Sequence, residues 1–581
     1  MPKARLSGTW SSNISAELVA ESTAAINFVR SHHGFLYWVE SRPWDNGRNI
    51  IFRMGMNGAI EELIPPPFSN LSRVHEYGGC AYVPNGEQLY FVNGDDQRIY
   101  VQDSSGNPKP ISPEGKWRFA DLSFDPFRER LIAVCELSSE ETKTSNFIAT
   151  ISVSATASDR GEVKPLVAGN DFYAYPTLTP DCQSICWIQW NHPKMPWDEN
   201  ELWRAKINDR GTLCNLVKVA GGNNEAIVQP KWSVNGDLFY ISDKTGWWNI
   251  YMTHKENNQF NTAGKEPILS ISADFAGPLW QLGASYFDFV NTNEIVCIWS
   301  EKGVSYAGTL NISARKLKTI ESEFSHLENV ACNNGIFYCI ASNFCKPHSV
   351  ITLHHKTGAE TIYQPPSSPR ITRLLAKSKL DSRNLSEPHP IEFTSSENSL
   401  VHAFFYKPKN SRYVALRNEL PPLIVMCHGG PTAASTSALN LKIQFWTSRG
   451  FAVADLNYRG SSGFGRCYRE ALRKKWGLAD VEDTSYLVQH LAENGLADPK
   501  RCIIRGSSAG GFTVLAALTF TNTFKAGASF YGIGDLESLA KDTHKFESHY
   551  LEGLVGSYPR ERELYHERSP IYHADRLDCP V

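Results

Sequence analysis

The sequence lacks a long apolar segment and any concentration of charge of one sign. Its longest apolar runs, such as Leu423–Cys427, fall far short of the ~20 residues that a membrane helix needs. The 58 Lys and Arg residues are balanced by 61 Asp and Glu, and no basic cluster occurs. Residues 1–26 lack the basic and then apolar pattern of a secretory signal. These absences argue against a membrane or nucleic acid as a partner and favour a cytoplasmic location.

The sequence also lacks a recognisable metal-binding pattern. It has 13 cysteines, an odd number, and most of them lie in apolar, strand-like runs. Cys182 and Cys186 are four residues apart, but no second Cys/His pair completes a zinc site. We therefore expect buried free thiols and neither a metal nor an organic cofactor.

A repeat fills the first part of the chain. In residues 1–365 a short apolar strand recurs at intervals of roughly 50 residues, often after a turn such as Asn235-Gly236. The Leu or Ile anchors of the seven copies are Leu36, Leu89, Leu131, Ile185, Leu238, Ile295 and Ile336. Short strands, dense aromatics and no long amphipathic helix predict a seven-bladed β-propeller. An array of β-sandwiches is the alternative, although sandwiches lack a shared repeat of this length.

The pattern changes after a Pro/Ser-rich stretch at residues 364–369. From about Pro388 onwards, strands alternate with helical segments, and Leu423–Met426 and Ala452–Ala454 have the composition of buried parallel strands. We therefore predict a propeller domain with an N-terminal lead segment over residues 1–370, a linker over 371–387, and a doubly wound α/β domain over 388–581. The family resemblance given below implies that this domain is an α/β-hydrolase and that it is incomplete.

A Gly-x-Ser-x-Gly pattern lies at the centre of the second domain, as Gly506, Ser508 and Gly510. A strand-like run leads into it and helix-forming residues lead out. This context predicts a nucleophile elbow, a turn so tight that side chains beside the serine would clash. Ser508 is the predicted nucleophile. The neighbouring Ser507 is not centred between the glycines and is rejected.

A second glycine-rich loop, His428-Gly429-Gly430-Pro431, directly follows a predicted strand. Backbone N–H groups at the end of a strand can complete an oxyanion hole, so we assign that role to Gly430 together with Ala509, which follows the serine. His428 is expected to shape the loop, because triad partners in this fold follow the serine in chain order.

Several motifs occur together in a characteristic order. They are His428-Gly429-Gly430-Pro431, Asn457 to Gly465, Trp476-Gly477 with Asp480 and Asp483, and Gly506 to Gly511, preceded in the first half by Val74 to Gly79 and His192 to Asp198. This set resembles the prolyl oligopeptidase family, especially its acylaminoacyl-peptidase and dipeptidyl-aminopeptidase branch. The resemblance implies a serine peptidase that hydrolyses short peptides beneath the propeller, releasing N-terminal residues, dipeptides or acylated residues through an acyl-enzyme on Ser508.

Some residues of these motifs have a structural interpretation as well. Tyr458 and Arg459 either brace a loop or touch substrate, Trp476 is expected in the core, and Asp480 is expected to cap the helix that follows it. His75-Glu76 could receive the amino terminus of a substrate, although polar residues in propeller loops usually have structural roles.

The sequence departs from the family at its C-terminal end. The triad Asp and His should follow the serine, and both are expected beyond Val581, absent from this chain. The later histidines His544, His549 and His573 do not match the family's triad positions, and neither do Asp535, Asp542 and Asp575.

Two other functions stay open at this point. One is a catalytically dead, truncated form whose propeller serves as a binding module. The other is a carboxylic-ester hydrolase, because the elbow alone does not separate esters from amides. The oligomeric state is also open, with a homo-oligomer among the alternatives.

Overall fold

The computed structural model describes residues 2–21, 24–103, 106–138, 144–154, 156–253, 255–256, 259–260, 266–354, 358–378 and 382–581. Seven antiparallel sheets, each built from consecutive strands, make up the first domain. Blades one to four are β2 (Ala25–His32), β3 (Phe35–Arg42), β4 (Arg48–Met54) and β5 (Ile60–Glu62); β6 (Tyr82–Asn85), β7 (Gln88–Val92), β8 (Ile99–Gln102) and β9 (Lys109–Pro110); β10 (Trp117–Asp125), β11 (Arg130–Leu137), β12 (Ser145–Ser152) and β13 (Val163–Val167); and β14 (Phe172–Leu178), β15 (Ser184–Trp190), β16 (Glu201–Ile207) and β17 (Leu213–Gly221).

The remaining blades follow in the same order. They are β18 (Ile227–Trp232), β19 (Leu238–Ser242) and β20 (Asn249–Thr253); β23 (Phe287–Asn291), β24 (Glu294–Glu301), β25 (Val304–Asn311) and β26 (Lys316–Ile320); and β27 (His326–Asn333), β28 (Ile336–Ser342), β29 (Ser349–His354) and β30 (Gly358–Tyr363). Strands β21 (Lys255–Glu256) and β22 (Gln259–Phe260) form a separate hairpin after the fifth blade. The predicted seven-bladed propeller is confirmed.

Each predicted anchor lies in the second strand of its blade, from Leu36 in β3 to Ile336 in β28. Second strands are covered on both faces by neighbouring blades, which explains their continuous apolar sequence. Six of the seven anchors are buried, whereas Ile336 begins its strand at the surface and burial starts with Phe337. The repeat in the sequence is therefore the repeat of one buried strand per blade.

The first strands of five blades contain a β-bulge that the sequence pattern does not predict. In five blades the register shifts at a bulge next to a residue with positive φ. These residues are Phe28, Asp121, Tyr175, Gln229 and Asn329. Two of them join neighbouring blades: Asp121 accepts the Tyr175 N–H at 2.7 Å, and Gln229 donates to Phe287 O at 2.8 Å. The bulges bend the inner strands, and their side chains hold adjacent blades together.

The ring closes without exchanging a strand, because the first and last blades each use consecutive strands. Instead β2 packs against β27, and Ser31 Oγ donates to Cys332 O at 2.7 Å.

The second domain has a six-stranded sheet in the order β31-β32-β35-β34-β36-β37. Its strands are β31 (His389–Thr394), β32 (Leu400–Tyr406), β34 (Leu423–Cys427), β35 (Ala452–Asn457), β36 (Cys502–Ser507) and β37 (Ala526–Phe530). The last four are parallel neighbours, and helices cross between them. The helices are α3 (Leu441–Thr447), α4 (Arg466–Glu470), α5 (Ala479–Glu493), α6 (Ala509–Phe520), α7 (Leu536–Lys541), α8 (Tyr550–Leu554) and α9 (Arg562–Arg568). The predicted α/β-hydrolase class is confirmed.

Two segments connect the domains along the chain. Helix α2 (Pro369–Ser378) begins two residues before the predicted linker and continues into it, and a short 3-10 helix, Ser382–Asn384, lies within it. The N-terminal lead segment, which precedes α1 (Ala16–Ala20), lies on the second domain: β1 (Lys3–Ala4) pairs with β33 (Tyr413–Val414). The chain thus starts on the hydrolase domain before it enters the propeller.

A buried ion cluster joins the two domains. The Asp243 carboxylate of the propeller accepts hydrogen bonds from Arg466 at 2.9 Å and from Arg469 at 2.5 Å, both from α4 of the hydrolase domain. Arg469 also lies over the Trp248 ring, with 4.3 Å from its Cζ to the ring centroid.

Two further predictions concern composition. All 13 cysteines are free thiols in the structure; eight are buried as expected, four are partly buried and Cys467 is exposed. Across the part of the chain that the structure describes, no helix combines the length and apolarity required to cross a membrane.

Candidate active site

Ser508 lies at the sharp turn between β36 and α6. Its backbone has φ 54° and ψ −121°, a combination that costs an L-residue of order 1–3 kcal/mol. The turn is held by hydrogen bonds from Ser508 N to Phe530 O at 3.1 Å and from Phe512 N to Ser508 O at 3.0 Å. The side chain is exposed at the apex. This is the geometry that the sequence predicts for a nucleophile elbow.

The flanking glycines are required by close backbone approach. A Cβ on Gly510 would lie 2.2 Å from Cys427 O, and one on Gly506 would lie 2.4 Å from Gly510 O. Both distances are shorter than any tolerated contact, and both involve backbone atoms that cannot move aside. The elbow therefore admits only glycine at these two positions.

Two backbone N–H groups lie beside the serine without a partner. Gly430, with φ 120°, and Ala509, the first residue of α6, line the same cavity as Ser508. Within the described residues, neither amide donates a hydrogen bond. The loop approaches closely, since a Cβ on Gly429 would lie 3.6 Å from the Ser508 Cβ. The two amides assigned to the oxyanion hole are thus free to bind a ligand oxygen.

His428 is used within its own loop. Its Nε2 lies 2.7 Å from Ser461 Oγ, its Nδ1 lies 2.7 Å from Gly429 O, and its ring stacks on Tyr458 at 4.3 Å between centroids. Burial lowers the pKa of His428 to about 4, which keeps the ring neutral. Its contacts are those of a residue that shapes the loop.

The histidines that follow the serine have other surroundings. His549 contacts Glu552, with 2.5 Å between Nδ1 and Oε1. His544 lies 3.8 Å from Glu547 and packs against Tyr77, and His573 packs on the Phe520 ring. The fourth, His566, contacts the Glu537 carboxylate through its Nε2. Among the residues that the structure describes, none of these four histidines forms a hydrogen bond with Ser508. The edge strand β37 receives one further backbone contact, from Gly527 N to Pro580 O at 2.9 Å.

A cavity of about 520 Å³ lies over Ser508 and is shared by both domains. The propeller supplies Tyr77 and Trp280, and the hydrolase domain supplies mainly aromatic and aliphatic walls. The other lining residues are Gly430, Pro431, Ala433, Trp476, Ala509, Tyr531, Ile533, Leu539, Thr543, Glu547, Tyr550, Leu551 and Leu554. Glu547 is the one carboxylate among the lining residues, and the Tyr77 hydroxyl donates to it.

Most residues that line the cavity over Ser508 belong to no motif that the sequence reveals. Trp280 lies in the loop between the fifth and sixth blades, and its Nε1 donates to Thr432 O at 2.7 Å. Tyr550 of α8 contacts the same residue, Thr432, with 2.6 Å between the Tyr550 hydroxyl and Thr432 Oγ1. These residues belong to no motif, and only their position against the glycine-rich loop reveals them.

The accessory residues have mainly structural contacts. Tyr458 is buried and donates to His428 O at 3.0 Å, and Arg459 is buried against Asp483 at 2.9 Å. Trp476 is also buried, but it lines the cavity over the serine. Asp480 lies inside the first turn of α5, not at its cap, and joins Gly477 N to the Thr513 hydroxyl, each at 2.6 Å.

The two propeller residues His75 and Glu76 have different environments. His75 is buried among the rings of Phe172, Trp190 and Phe546, so it cannot reach a substrate. Glu76 is exposed and pairs with Arg118 at 2.5 Å.

Fold and site together define a propeller-capped α/β-hydrolase. The sequence profile of the prolyl oligopeptidase family matches residues 437–581. A solved puromycin-hydrolyzing peptidase of Mycobacterium tuberculosis is 35% identical, with a TM-score of 0.91, and the match covers 100% of this chain and 88% of that one. A crystal structure of puromycin hydrolase is 32% identical over the same shares, with a TM-score of 0.90. The chain belongs to the prolyl oligopeptidase family.

Curated relatives match over shorter regions. The dipeptidyl aminopeptidase BIII of Pseudoxanthomonas mexicana is 28% identical over 224 residues, 37% of this chain and 32% of that protein. The acylamino-acid-releasing enzyme of Arabidopsis thaliana is 32% identical over 173 residues, 28% of this chain and 22% of that protein. The matched region therefore spans a third or less of these relatives.

Proposed function

We propose that the protein is a serine peptidase that hydrolyses short peptides and forms an acyl-enzyme on Ser508. The observation that carries the proposal is the strained, exposed serine in a cavity that it shares with two backbone N–H groups, neither of which has a hydrogen-bond partner among the described residues. In this arrangement the hydroxyl attacks a carbonyl carbon, and the developing oxyanion accepts hydrogen bonds from Gly430 and Ala509. The serine proton passes through a general base to the nitrogen of the leaving amine, which departs as the C–N bond breaks. Water then hydrolyses the acyl ester and regenerates the serine hydroxyl.

The general base and acid are part of the same proposal. In this fold they follow the nucleophile in chain order, the acid before the histidine. The histidines between Ser508 and Val581 have other contacts in the structure, so we do not assign the base to any of them.

The cavity supports short, largely apolar substrates. Its walls are mostly aromatic and aliphatic, and Glu547 adds a single negative charge suited to a substrate's amino terminus. The propeller covers the serine, which favours short peptides over folded proteins. Release of N-terminal residues, dipeptides or acylated residues fits this cavity, and the dipeptidyl aminopeptidase relative supports cleavage near an amino terminus. Free thiols and a balanced charge support a cytoplasmic location.

Active-site labelling tests the proposal. A fluorophosphonate probe should modify Ser508, as mapped by peptide mass spectrometry, and Ser508→Ala should abolish labelling. Ser507→Ala is the matched control, because it removes the neighbouring hydroxyl and leaves the elbow serine in place. Unchanged labelling of Ser508→Ala would remove the assignment.

Substrate class is tested with three matched amides: a free aminoacyl amide, a free dipeptidyl amide and an N-acetylated aminoacyl amide. If Glu547 binds an amino terminus, Glu547→Gln should raise KM for the free amides and leave the acetylated one unchanged. Equal effects on all three would assign Glu547 a structural role.

A further inference from the structure

A cluster of metal-ligating side chains lies in the propeller, away from the serine. His326 and Glu328 are two residues apart on β27, and His348 directly precedes β29 of the same blade. Residues i and i+2 of a strand share a face, which brings the first two side chains together. Strands β27 and β29 both flank β28, and Ala341 of β28 pairs with Leu327 and with Ser349. His348 is thereby brought to the same end of the blade.

The three side chains form a compact donor set. One ligand atom from each lies within 4.8 Å of the others. His326 Nε2 and Glu328 Oε1 are 2.9 Å apart, and the two imidazole rings are perpendicular, with 5.6 Å between their centroids. Donor atoms around a tetrahedral zinc ion are about 3.3 Å apart, given bonds of about 2.0–2.1 Å. Small side-chain rotations reach that spacing from the observed positions.

We propose that His326, Glu328 and His348 bind one Zn²⁺ ion. Two imidazole nitrogens and one carboxylate oxygen are a donor set that zinc accepts in three-ligand sites, leaving a fourth position for water or an incoming group. The same donors suit other first-row metals, and tetrahedral geometry favours zinc among them. Paired Cys/His spacings in the sequence do not reveal this set, because its three residues come together only when the blade folds.

The three donor residues are only partly buried, so a metal ion can reach them from solvent. The Glu328 side chain is 43% exposed, so it retains contact with solvent. A single carboxylate with two neutral rings leaves a positive charge on the bound ion, which an open fourth position can share with an anionic group.

The site has an entry path and lies at the boundary between the domains. His348 lines a cavity of about 830 Å³ that also reaches His428, Gly429 and Ser507 of the hydrolase domain. Next to His326, Ser325 Oγ lies 2.8 Å from Ser437 Oγ across the boundary. Zinc bound here would add a cross-link within the seventh blade, close to the loop that carries the oxyanion-hole residue.

The test is zinc binding to the whole protein. After treatment with a chelator, the protein is titrated with ZnCl₂ by calorimetry, and retained metal is counted by elemental mass spectrometry after desalting. We expect one zinc ion per chain and a raised melting temperature. His348→Ala and Glu328→Gln should each weaken binding by more than about tenfold. Cobalt(II) in place of zinc should give the visible spectrum of a tetrahedral site.

Control variants separate the site from other binders. His389→Ala removes an exposed histidine of β31 and should leave affinity and stoichiometry unchanged. The double variant His326→Ala/His348→Ala should retain no tightly bound zinc while its metal-free melting temperature stays close to that of the metal-free parent. Retention of one tight zinc ion by the double variant would overturn the proposal, as would absence of binding by the parent at millimolar zinc.

Discussion

Glycines at two hairpin turns of the propeller and glycines at the elbow of the hydrolase domain have different roles. In the propeller, Gly86 and Gly335 sit in hairpin turns with φ of 58° and 76°, and a Cβ on either would meet nothing within 4 Å. In the hydrolase domain, Gly506 and Gly510 face backbone oxygens at 2.4 and 2.2 Å. At these hairpin turns glycine serves backbone conformation at the surface, whereas at the elbow it permits close approach in the interior. The two hairpin positions can tolerate a substitution that the two elbow positions cannot.

The largest effect should come from adding one methyl group at the elbow. Gly510→Ala places a Cβ against Cys427 O, so the turn must open and the amides of the oxyanion hole separate. We expect fluorophosphonate labelling of Ser508 to fall at least ~100-fold. The matched control is Gly86→Ala, where only the positive φ is penalised, by about 1–2 kcal/mol, and labelling persists. Normal labelling of Gly510→Ala would show that the elbow tolerates a side chain at this position, contrary to the contrast between the elbow and the hairpin turns.

The second-largest expected effect is a loss of stability at the boundary between the domains. Among the described residues, Asp243→Ala leaves the buried Arg469 without a carboxylate partner and leaves Arg466 with Glu470 alone. Removal of one partner of a buried ion pair typically costs about 3–5 kcal/mol. Denaturant unfolding followed by fluorescence should show the loss, together with earlier unfolding of the hydrolase domain.

A surface ion pair provides the control for that experiment. Glu323 and Lys346 are 2.6 Å apart, but their side chains are 53% and 45% exposed. Glu323→Ala should change the free energy of unfolding by less than about 1 kcal/mol. An equal loss for both variants would contradict a special role for the buried cluster.

Both domains and the elbow could be predicted from the sequence, because each depends on residues that are close along the chain. The second strands carry continuous apolar runs, and the elbow occupies a few consecutive positions. The inner bulges escaped prediction, because Phe28, Asp121, Tyr175, Gln229 and Asn329 share a backbone conformation and no side-chain type.

The contacts between domains escaped for a different reason. Arg466 and Asp243 are 223 residues apart in the chain, and Trp280 and Thr432 are 152 apart. No local pattern encodes such a pairing. The walls of the cavity over Ser508 depend on these long-range contacts, so the sequence indicates the reaction more readily than the substrate.

The smallest expected effect is a pH dependence of stability caused by His75, the propeller histidine considered above as a possible contact for a substrate amino terminus. Burial lowers the pKa of His75 to about 3, and the nearby Lys545 and His544 add to this shift. Glu136, on the opposite side, accepts the His75 backbone N–H at 3.2 Å. The unfolded chain binds a proton near the ordinary histidine pKa, whereas the folded ring stays neutral. Wild-type stability should therefore fall as the pH drops from about 6.5 towards 3.

Replacing the ring with one that cannot titrate isolates this contribution. His75→Phe keeps the aromatic contacts with Phe172 and Phe546, and the Nε2 that it removes has no hydrogen-bond partner among the described residues. At pH 7 the variant and wild type should differ little, whereas at pH 5 the variant should gain about 1–2 kcal/mol relative to wild type in denaturant unfolding. His389→Phe, at an exposed position, should show no such gain. If the free energy of unfolding had the same pH dependence in wild type and in His75→Phe, the His75 ring would be able to take up a proton in the folded protein. His75 would then again be a candidate for substrate contact.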